Sequence, residues 1–382
     1  MKAKVSLSQR WCPHYRVPLF EKLASLSRHE WIFQFGAHPG GGKGGLDAGT
    51  GALRVHAVRN RWVTSRYCWQ QGVRLDWPEL QVAAFELSYS ILSNPLLMLR
   101  ARARGLKRIG WGKGISEAGG ERSRLKQLAE RIHLAGCDAI IAYGQTSRDY
   151  FVGKSVPPER IFVAQNSNDT NAILSRREQS EREGAELRRS LFGGCVVPVA
   201  GYLGRLAPEK RVDVIIEAFV RANPERHDAH LVIAGDGPCL GALRTLAAAQ
   251  PCRDRIHFVP HVPDGAEHGY FQMFDFYLSF AVGGLGAVEA MAHACPVVSA
   301  PEKRPELDLL VDGETAYLAA DLSAEAFSAT VARALAAPRD ERRRLAELAR
   351  ERVTTGATQE KMVESFDSAV DYVMGRRQPV SL

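Results

Sequence analysis

The sequence predicts an α/β protein of two Rossmann-like, doubly wound domains facing across a cleft. Three observations carry this expectation. Short apolar runs alternate with helix-like segments along the whole chain, the pattern of βαβ units on parallel sheets. At 382 residues the chain is too long for one ordinary core, and two domains of roughly 150–200 residues are the natural division. A polar segment, NAILSRREQSEREGAELRRSLF (171–192), separates two alternating sets and holds no strand-like run. The expected boundaries are a first domain over 1–170, a connecting segment over 171–194, a second domain over 195–355 and a C-terminal helical segment over 356–382.

In the first set KAKVSLS reads as a strand, RVPLFEKLASLS as an amphipathic helix and EWIFQFGA as the next strand. Residues 36–52, GAHPGGGKGGLDAGTGA, are too rich in glycine for anything but a loop. LQVAAFE, KRIGWG, DAIIAYG and IFVAQN read as further strands, with RSRLKQLAERIHLAG among the helices between them. The second set begins with strand VVPVAGYLG and helix RVDVIIEAFVRANP, followed by strand HLVIAGDG and helix CLGALRTLAAAQ. Strands RIHFVPHV and FDFYLSF, helix GAVEAMAHA, strand PVVSA and two more helices complete it.

Charge is distributed unevenly. Residues 1–170 carry a net +12 and the remainder a net −5, so the first half seeks anionic surfaces such as phosphates or acidic lipid headgroups. The seven cysteines are scattered and never form a C-x-x-C pair, which argues against a disulfide framework or a zinc site and for a reducing compartment. The N-terminal MKAKVSLSQRWCPHY lacks the apolar core of a signal peptide. FELSYSILSNPLLML (85–99) falls short of the roughly 20 apolar residues that span a bilayer. A cytoplasmic protein, peripheral on the inner face of the membrane, is the expectation.

Three stretches of the second half carry chemistry. GYLGRLAPEK (201–210) ends a strand with Gly201 and Gly204, then places Arg205 and Lys210 where a bidentate fork and a movable point charge can neutralise two phosphoryl groups. The plain alternative is a charged loop. VIAGDGP (232–238) runs a strand into a Gly235-Asp236-Gly237 turn that admits a flat ligand close to the backbone, although such turns also occur without one. FAVGGLGAVEAMAHACPVV (280–298) sets Gly283, Gly284 and Gly286 before a helix whose first turn carries Glu289. A carboxylate there can accept from a ribose diol, or merely complement the helix dipole. No G-x-G-x-x-G stands at either first βα turn, the P-loop pattern is absent, and no Asp-x-Asp metal site appears.

In this order, GRLAPEKRVDVIIEAF, LVIAGDGP and GLGAVEAMAHACPVVSA resemble the C-terminal half of a family-4-type retaining glycosyltransferase of the GT-B fold, and PELDLLVDGETAYL (305–318) continues the likeness. PHYRVPLFEKLA (13–24), RIGWGKGIS (108–116) and residues 137–170 are similar to its polysaccharide-assembly branch. The resemblance implies retaining, metal-independent transfer of a sugar from a nucleotide sugar, itself a co-substrate rather than a cofactor, to a glycan or lipid-linked acceptor. It implies that Arg205 and Lys210 hold the donor diphosphate and that Glu289 binds the ribose. Gly284 and Leu285 would turn backbone N–H groups toward phosphate or sugar, beside Gly204, Gly235 and Asp236. It also implies that the C-terminal helix, MVESFDSAVDYVMGRR (362–377), crosses back to the first domain.

Acceptors in this fold bind the first domain. The candidates are His14, Tyr15 and Arg16 in QRWCPHYR, with simple packing as the alternative for the aromatics, and Lys113 in WGKG. LLMLRARARGLKR (96–108) sets Arg100, Arg102, Arg104, Lys107 and Arg108 behind an apolar run, a character compatible with an anionic membrane surface and equally with a solvated face. Two positions depart from the family pattern. Ala281 stands where a glutamate often reaches the sugar, and Lys113 where the polysaccharide branch commonly has histidine. Competing readings are a nucleotide-sugar epimerase of the same fold and a degenerate transferase kept as a binding subunit. No RRM, zinc or helix-turn-helix pattern supports nucleic-acid binding.

Overall fold

A computed structural model of the chain describes residues 2–37, 53–64, 67–114, 124–193, 195, 197–222, 228–259, 261–263, 265–280, 284–302 and 304–376. The chain divides into two compact units, Met1–Asn166 with Gln359–Leu382, and Ser167–Thr358.

In the first unit β1 (Lys4–Gln9) leads into α1 (Val17–Leu26), β2 (Glu30–Phe35) and β3 (Val55–Ala57). A short antiparallel hairpin, β4 (Arg59–Trp62) and β5 (Cys68–Gln71), precedes β6 (Leu80–Glu86). Then follow α2 (Asn94–Ala103), β7 (Lys107–Gly112), α3 (Arg124–Ala135), β8 (Ala139–Ala142), α4 (Gln145–Val152) and β9 (Ile161–Val163). Seven strands form one parallel sheet in the order β3-β2-β1-β6-β7-β8-β9, with Leu7 opposite Phe33 on one side and Ala84 on the other. The central strands are buried on both faces, and so read as continuous apolar runs rather than alternating ones.

The second unit opens with α5 (Thr170–Ser175) and α6 (Arg177–Phe192), then β10 (Val199–Leu203), α7 (Val212–Ala222), β11 (His230–Ala234), α8 (Leu240–Ala248) and β12 (Ile256–Val259). It continues through α9 (Glu267–Met273), β13 (Phe276–Ser279), α10 (Gly286–Ala292), β14 (Val297–Ser299), β15 (Ala316–Leu318), α11 (Ala324–Ala336) and α12 (Arg339–Gly356). Its six strands are parallel in the order β12-β11-β10-β13-β14-β15, so strand order reverses between β10 and β13. Ligands of open α/β sheets bind beyond the carboxyl ends of the strands at such a reversal.

Residues 171–194, expected as a connecting segment, instead supply most of α5 and all of α6 to the second unit. The reason is close packing against α9. A β-carbon at Gly184 would stand 2.8 Å from Gln272 Cβ, and one at Gly269 would stand 2.9 Å from Glu183 Cβ, so both helices need glycine where they cross. Arg188 adds hydrogen bonds to Met273 O at 2.8 Å and to Asp275 at 2.7 Å. The polar composition of α6 belongs to its outer face.

The chain ends in α13 (Gln359–Val373), which packs in the first unit against α1, β7, β8 and β9. Phe366 lies edge-on to Trp111 with centroids 4.9 Å apart, and Asp367 accepts from Ser27 Oγ at 2.5 Å and Arg28 N at 3.0 Å. The units meet in sequence at Asn166 and Thr358 rather than at the expected 170 and 355. None of the seven cysteines forms a disulfide.

Candidate functional site

The carboxyl ends of β10 and β11 are locked together through glycine. Gly204 N donates to Ala234 O at 3.0 Å, and a β-carbon on Gly235 (φ +137°) would stand 2.0 Å from Gly204 O. The turn after β11 continues the seam: Leu206 N donates to Asp236 O at 2.8 Å, and Cys239 N to Leu206 O at 3.0 Å. Asp236 Oδ1 in turn accepts from Gly237 N at 2.7 Å, so its carboxylate shapes the turn. Leu206 is fully buried beneath this seam. Buried Tyr202 and Tyr277 underpin it, their hydroxyls donating to Arg205 O at 3.1 Å and Leu203 O at 3.3 Å.

On this floor Arg205 is mostly exposed and pairs with Glu209 at 2.5 Å, a contact that in water contributes little and yields readily to a phosphate. Lys210 reaches toward the segment before α10: a β-carbon at Gly284 (φ +61°) would stand 3.8 Å from Lys210 Nζ. Leu285 caps α10, its carbonyl accepting from Glu289 N at 2.9 Å. Gly204, Arg205, Lys210, Gly235, Asp236, Gly284, Leu285 and Glu289 therefore all follow the carboxyl ends of β10, β11 and β13. Ala281 and Gly283 lie outside the described residues.

Glu289 points to a different set of partners from the two cations. Its Oε2 accepts from Asn168 Nδ2 at 3.1 Å, and its Oε1 lies 3.8 Å from His268 Nδ1. Burial, with the neighbouring charge of Glu267, pushes its carboxyl up to about 8 against the opposing hydrogen bond from Asn168. His268 Nδ1 is 3.0 Å from His293 Nε2, and Gln272 Nε2 is 3.2 Å from His293 Nδ1. Burial and then His268 push His293 down to about 3, which keeps its imidazole neutral. Among the described residues, His268, Glu289 and His293 are the group whose ligand atoms gather within 4.8 Å of one another. Sequence reasoning missed Asn168, His268 and His293. The available signal was a pair of i,i+4 spacings, His268 with Gln272 and Glu289 with His293, in segments 21 residues apart that match no metal motif.

In the first unit His14, Tyr15 and Arg16 form a single 3₁₀ turn after β1. Tyr15 is exposed and meets His14 edge-on at 5.8 Å. Arg16 turns inward: its guanidinium lies 4.2 Å from the Trp111 ring centroid, and Nη2 donates to the Tyr143 hydroxyl at 2.7 Å. Burial pushes that phenol up to about 12. Arg16 thus packs over β7 and β8 rather than standing on the surface beside His14. Lys113 follows β7 at the same end of the sheet, half-buried, with its carbonyl accepting from Ser147 Oγ at 2.8 Å.

No helix among the described residues is long and apolar enough to cross a membrane. The apolar-basic stretch forms α2 and the strand after it. Leu96 and Leu99, with Leu92 just before the helix, are exposed alongside Arg100, Arg102, Arg104 and Lys107, whereas Arg108 is taken up by Asp138 at 2.6 Å.

Residues 197–352 match the family "Glycosyl transferases group 1". Among curated proteins, the chain is 30% identical over 138 residues to alpha-D-kanosaminyltransferase of Streptomyces kanamyceticus, covering 35% of this chain and 33% of that one. It is 26% identical over 180 residues to alpha-monoglucosyldiacylglycerol synthase of Streptococcus pneumoniae, covering 46% of this chain and 40% of the relative. It is 29% identical over 252 residues to a GDP-mannose-dependent alpha-(1-6)-phosphatidylinositol monomannoside mannosyltransferase of Mycobacterium tuberculosis, covering 60% and 63%. The matches thus span about one third to just under two thirds of those relatives. Solved structures share the fold over nearly the whole chain. HepE of Anabaena in complex with UDP superposes with a TM-score of 0.74 at 15% identity, covering 97% of this chain and all of that one. Sucrose-phosphate synthase of Thermosynechococcus elongatus superposes with a TM-score of 0.71 at 14% identity, covering 98% of this chain and 100% of that one. The strand ends that carry Lys210 and Glu289 therefore lie in the segment that matches the group 1 glycosyl transferases, within a chain that has the two-Rossmann-unit fold of GT-B glycosyltransferases.

Proposed function

We propose that the protein is a retaining, metal-independent glycosyltransferase that moves a sugar from a nucleotide-sugar donor to a lipid-linked or glycan acceptor. The observation that carries this reading is the position of Lys210 beside Gly284 within the matched domain, above the Gly204–Gly235 seam. A phosphate placed there meets an ammonium and an open backbone, with the Arg205 fork close by in sequence. The solved relative with UDP in its complex supports a nucleotide diphosphate as the group held. One relative is named for making a glycolipid and another for transferring mannose to one, which supports a lipid-linked acceptor.

Transfer proceeds on the front face of the sugar. The leaving diphosphate takes the acceptor proton while Arg205 and Lys210 stabilise its growing charge, and retention follows from attack on the side the leaving group departs. A double displacement would need a carboxylate nucleophile opposite a second carboxyl group. Ala281 stands where the first of these would be expected. His14, Tyr15 and Lys113 border the acceptor, with Arg16 bracing them from below. The exposed leucines and basic residues of α2 hold the enzyme at the inner face of an anionic membrane.

The test is a panel of nucleotide sugars read first by thermal shift, since a ligand that binds only the native state raises apparent stability. Product analysis then follows with and without lipid or glycan acceptors. A transferase gives product only with acceptor. Sugar rearranged by donor alone would indicate an epimerase, and binding without turnover a binding subunit.

A further inference from the structure

Helices α9 and α10 face each other with an i,i+4 pair apiece, His268 with Gln272 and Glu289 with His293, so four side chains converge on one point. Three of them bring ligand atoms there, His268 Nδ1, His293 Nε2 and Glu289 Oε1, and the proton shared between the two ring nitrogens moves to an outer nitrogen when a metal takes its place. The first two are 3.0 Å apart, the first and third 3.8 Å, and all three lie within 4.8 Å of one another. Around a tetrahedral zinc ion, with Zn–N of about 2.0–2.1 Å, neighbouring ligand atoms sit about 3.3 Å apart. Small side-chain shifts bring this group to that figure.

The outer partners fit a metal as well as the inner ones do. Metal-bound histidines commonly give their second ring nitrogen to a carboxylate or amide, and ligating carboxylates are themselves hydrogen-bonded. Here Glu267 Oε1 lies 3.9 Å from His268 Nε2, the Gln272 amide lies 3.2 Å from His293 Nδ1, and Asn168 holds Glu289 Oε2 at 3.1 Å. Gln272 Nε2 also donates to His293 O at 3.2 Å, a bond the amide gives up when it turns end for end to offer its oxygen to His293 Nδ1–H. Phe271 stacks on the His293 ring with centroids 5.5 Å apart and planes 8° from parallel, which fixes the direction of Nε2. Two imidazoles and one carboxylate suit zinc and its neighbours rather than magnesium or calcium.

We propose that His268, His293 and Glu289 form a site for a single divalent transition metal of the zinc class, and that this metal competes with the nucleotide sugar for the Glu289 carboxylate. The competition rests on the reading of Glu289 as a donor contact; the metal site does not. The metal is an inhibitor in this scheme, and transfer runs without it.

The experiment titrates Co²⁺ into the full chain after chelator treatment. Visible absorption of four-coordinate cobalt is expected at one ion per chain, bleached by Zn²⁺. His268→Gln and His293→Gln should each weaken Co²⁺ binding at least tenfold, and Glu267→Gln, which alters only an outer partner, about 10- to 100-fold. Melting curves in chelator establish that each variant is folded. Adding the nucleotide sugar should raise the Co²⁺ concentration needed for half-saturation, and Zn²⁺ should inhibit transfer competitively with donor, with inhibition lost in the histidine variants. Wild-type protein without these bands, or identical bands in the folded H268Q/H293Q double variant, overturns the site even if Glu289→Gln still weakens donor binding. Bands that respond to the variants but not to the donor uphold the site and overturn the ribose role of Glu289.

Discussion

Asn168 Nδ2 donates to Glu289 Oε2 at 3.1 Å, joining the segment just before α5 to the first turn of α10. The bond fixes one carboxylate oxygen and leaves the other on the side of His268. If Glu289 receives the donor ribose, Glu289→Gln should raise the KM for nucleotide sugar about three- to tenfold, the worth of hydrogen bonds to a carboxyl that its pKa of about 8 keeps mostly protonated near neutrality. Asn168→Ala, which only frees the carboxylate to rotate, should raise it about fivefold. Initial-rate kinetics at saturating acceptor measure both.

Arg205 and Lys210 act on the charge that develops as the diphosphate leaves. Arg205→Ala and Lys210→Ala should each lower kcat about 10²- to 10³-fold, equivalent to about 2.7–4 kcal/mol of transition-state stabilisation. Arg205 is mostly exposed and its partner Glu209 partly so, so its variant should melt within a degree or two of the wild type. Unchanged transfer in both variants would remove the clamp from the mechanism.

Gly235 is the residue on which the site floor depends. A β-carbon there would stand 2.0 Å from Gly204 O, at a φ of +137° that disfavours any side chain. Gly235→Ala should therefore destabilise the protein by about 2–4 kcal/mol, seen as a lower midpoint in denaturant at unchanged m. Gly241→Ala, with open space around its β-carbon, is the matched control and should leave the midpoint nearly in place.

His230 Nδ1 and His257 Nε2 are 2.8 Å apart between stacked rings, and Phe192 packs on both. Burial lowers the pKa of each, and for His230 the neighbouring His257 and Arg255 lower it further. The unfolded chain, with histidines near 6.5, therefore takes up protons before the folded one does. The stability this pair contributes is present above about pH 6.5 and is lost as pH falls toward the lower folded values. Thermal melts between pH 8 and pH 5 should show a falling Tm below about 6.5. His257→Phe should make that fall shallower, and an identical slope would show that other groups dominate.

On α2 and the segments flanking it, exposed Leu92, Leu96 and Leu99 accompany Arg100, Arg102, Arg104 and Lys107. Each basic residue near an anionic leaflet contributes about 1 kcal/mol. Arg100→Glu with Arg102→Glu should weaken binding to phosphatidylserine vesicles at least roughly 30-fold. Binding of the wild type should fall as salt rises. A wild type that stays in the supernatant at low salt would remove the membrane from the proposal.

The sequence by itself determined the α/β class, every strand of the two parallel sheets except the short edge strands β3 and β15, and the stretches that follow the strand ends. Strands buried on both faces appear as short apolar runs such as VAGYL and AIIA, and the turns between them announce themselves through glycine, so these features are local. Gly204 and Gly235, Arg205 and Lys210, and Glu289 were legible for the same reason. The third dimension decided what local composition cannot encode. α6 looked like a linker because its outward residues are polar, and only Gly184 against Gln272 reveals that it packs on α9. Arg16 read as an acceptor-side candidate beside His14 and Tyr15, yet Trp111 and Tyr143, about a hundred residues away in sequence, give it a place in the interior. The environment of Glu289 depends on Asn168 and His268, brought to it by chain segments 121 and 21 residues distant. Its partners are set by packing between elements, which periodicity along one element does not record.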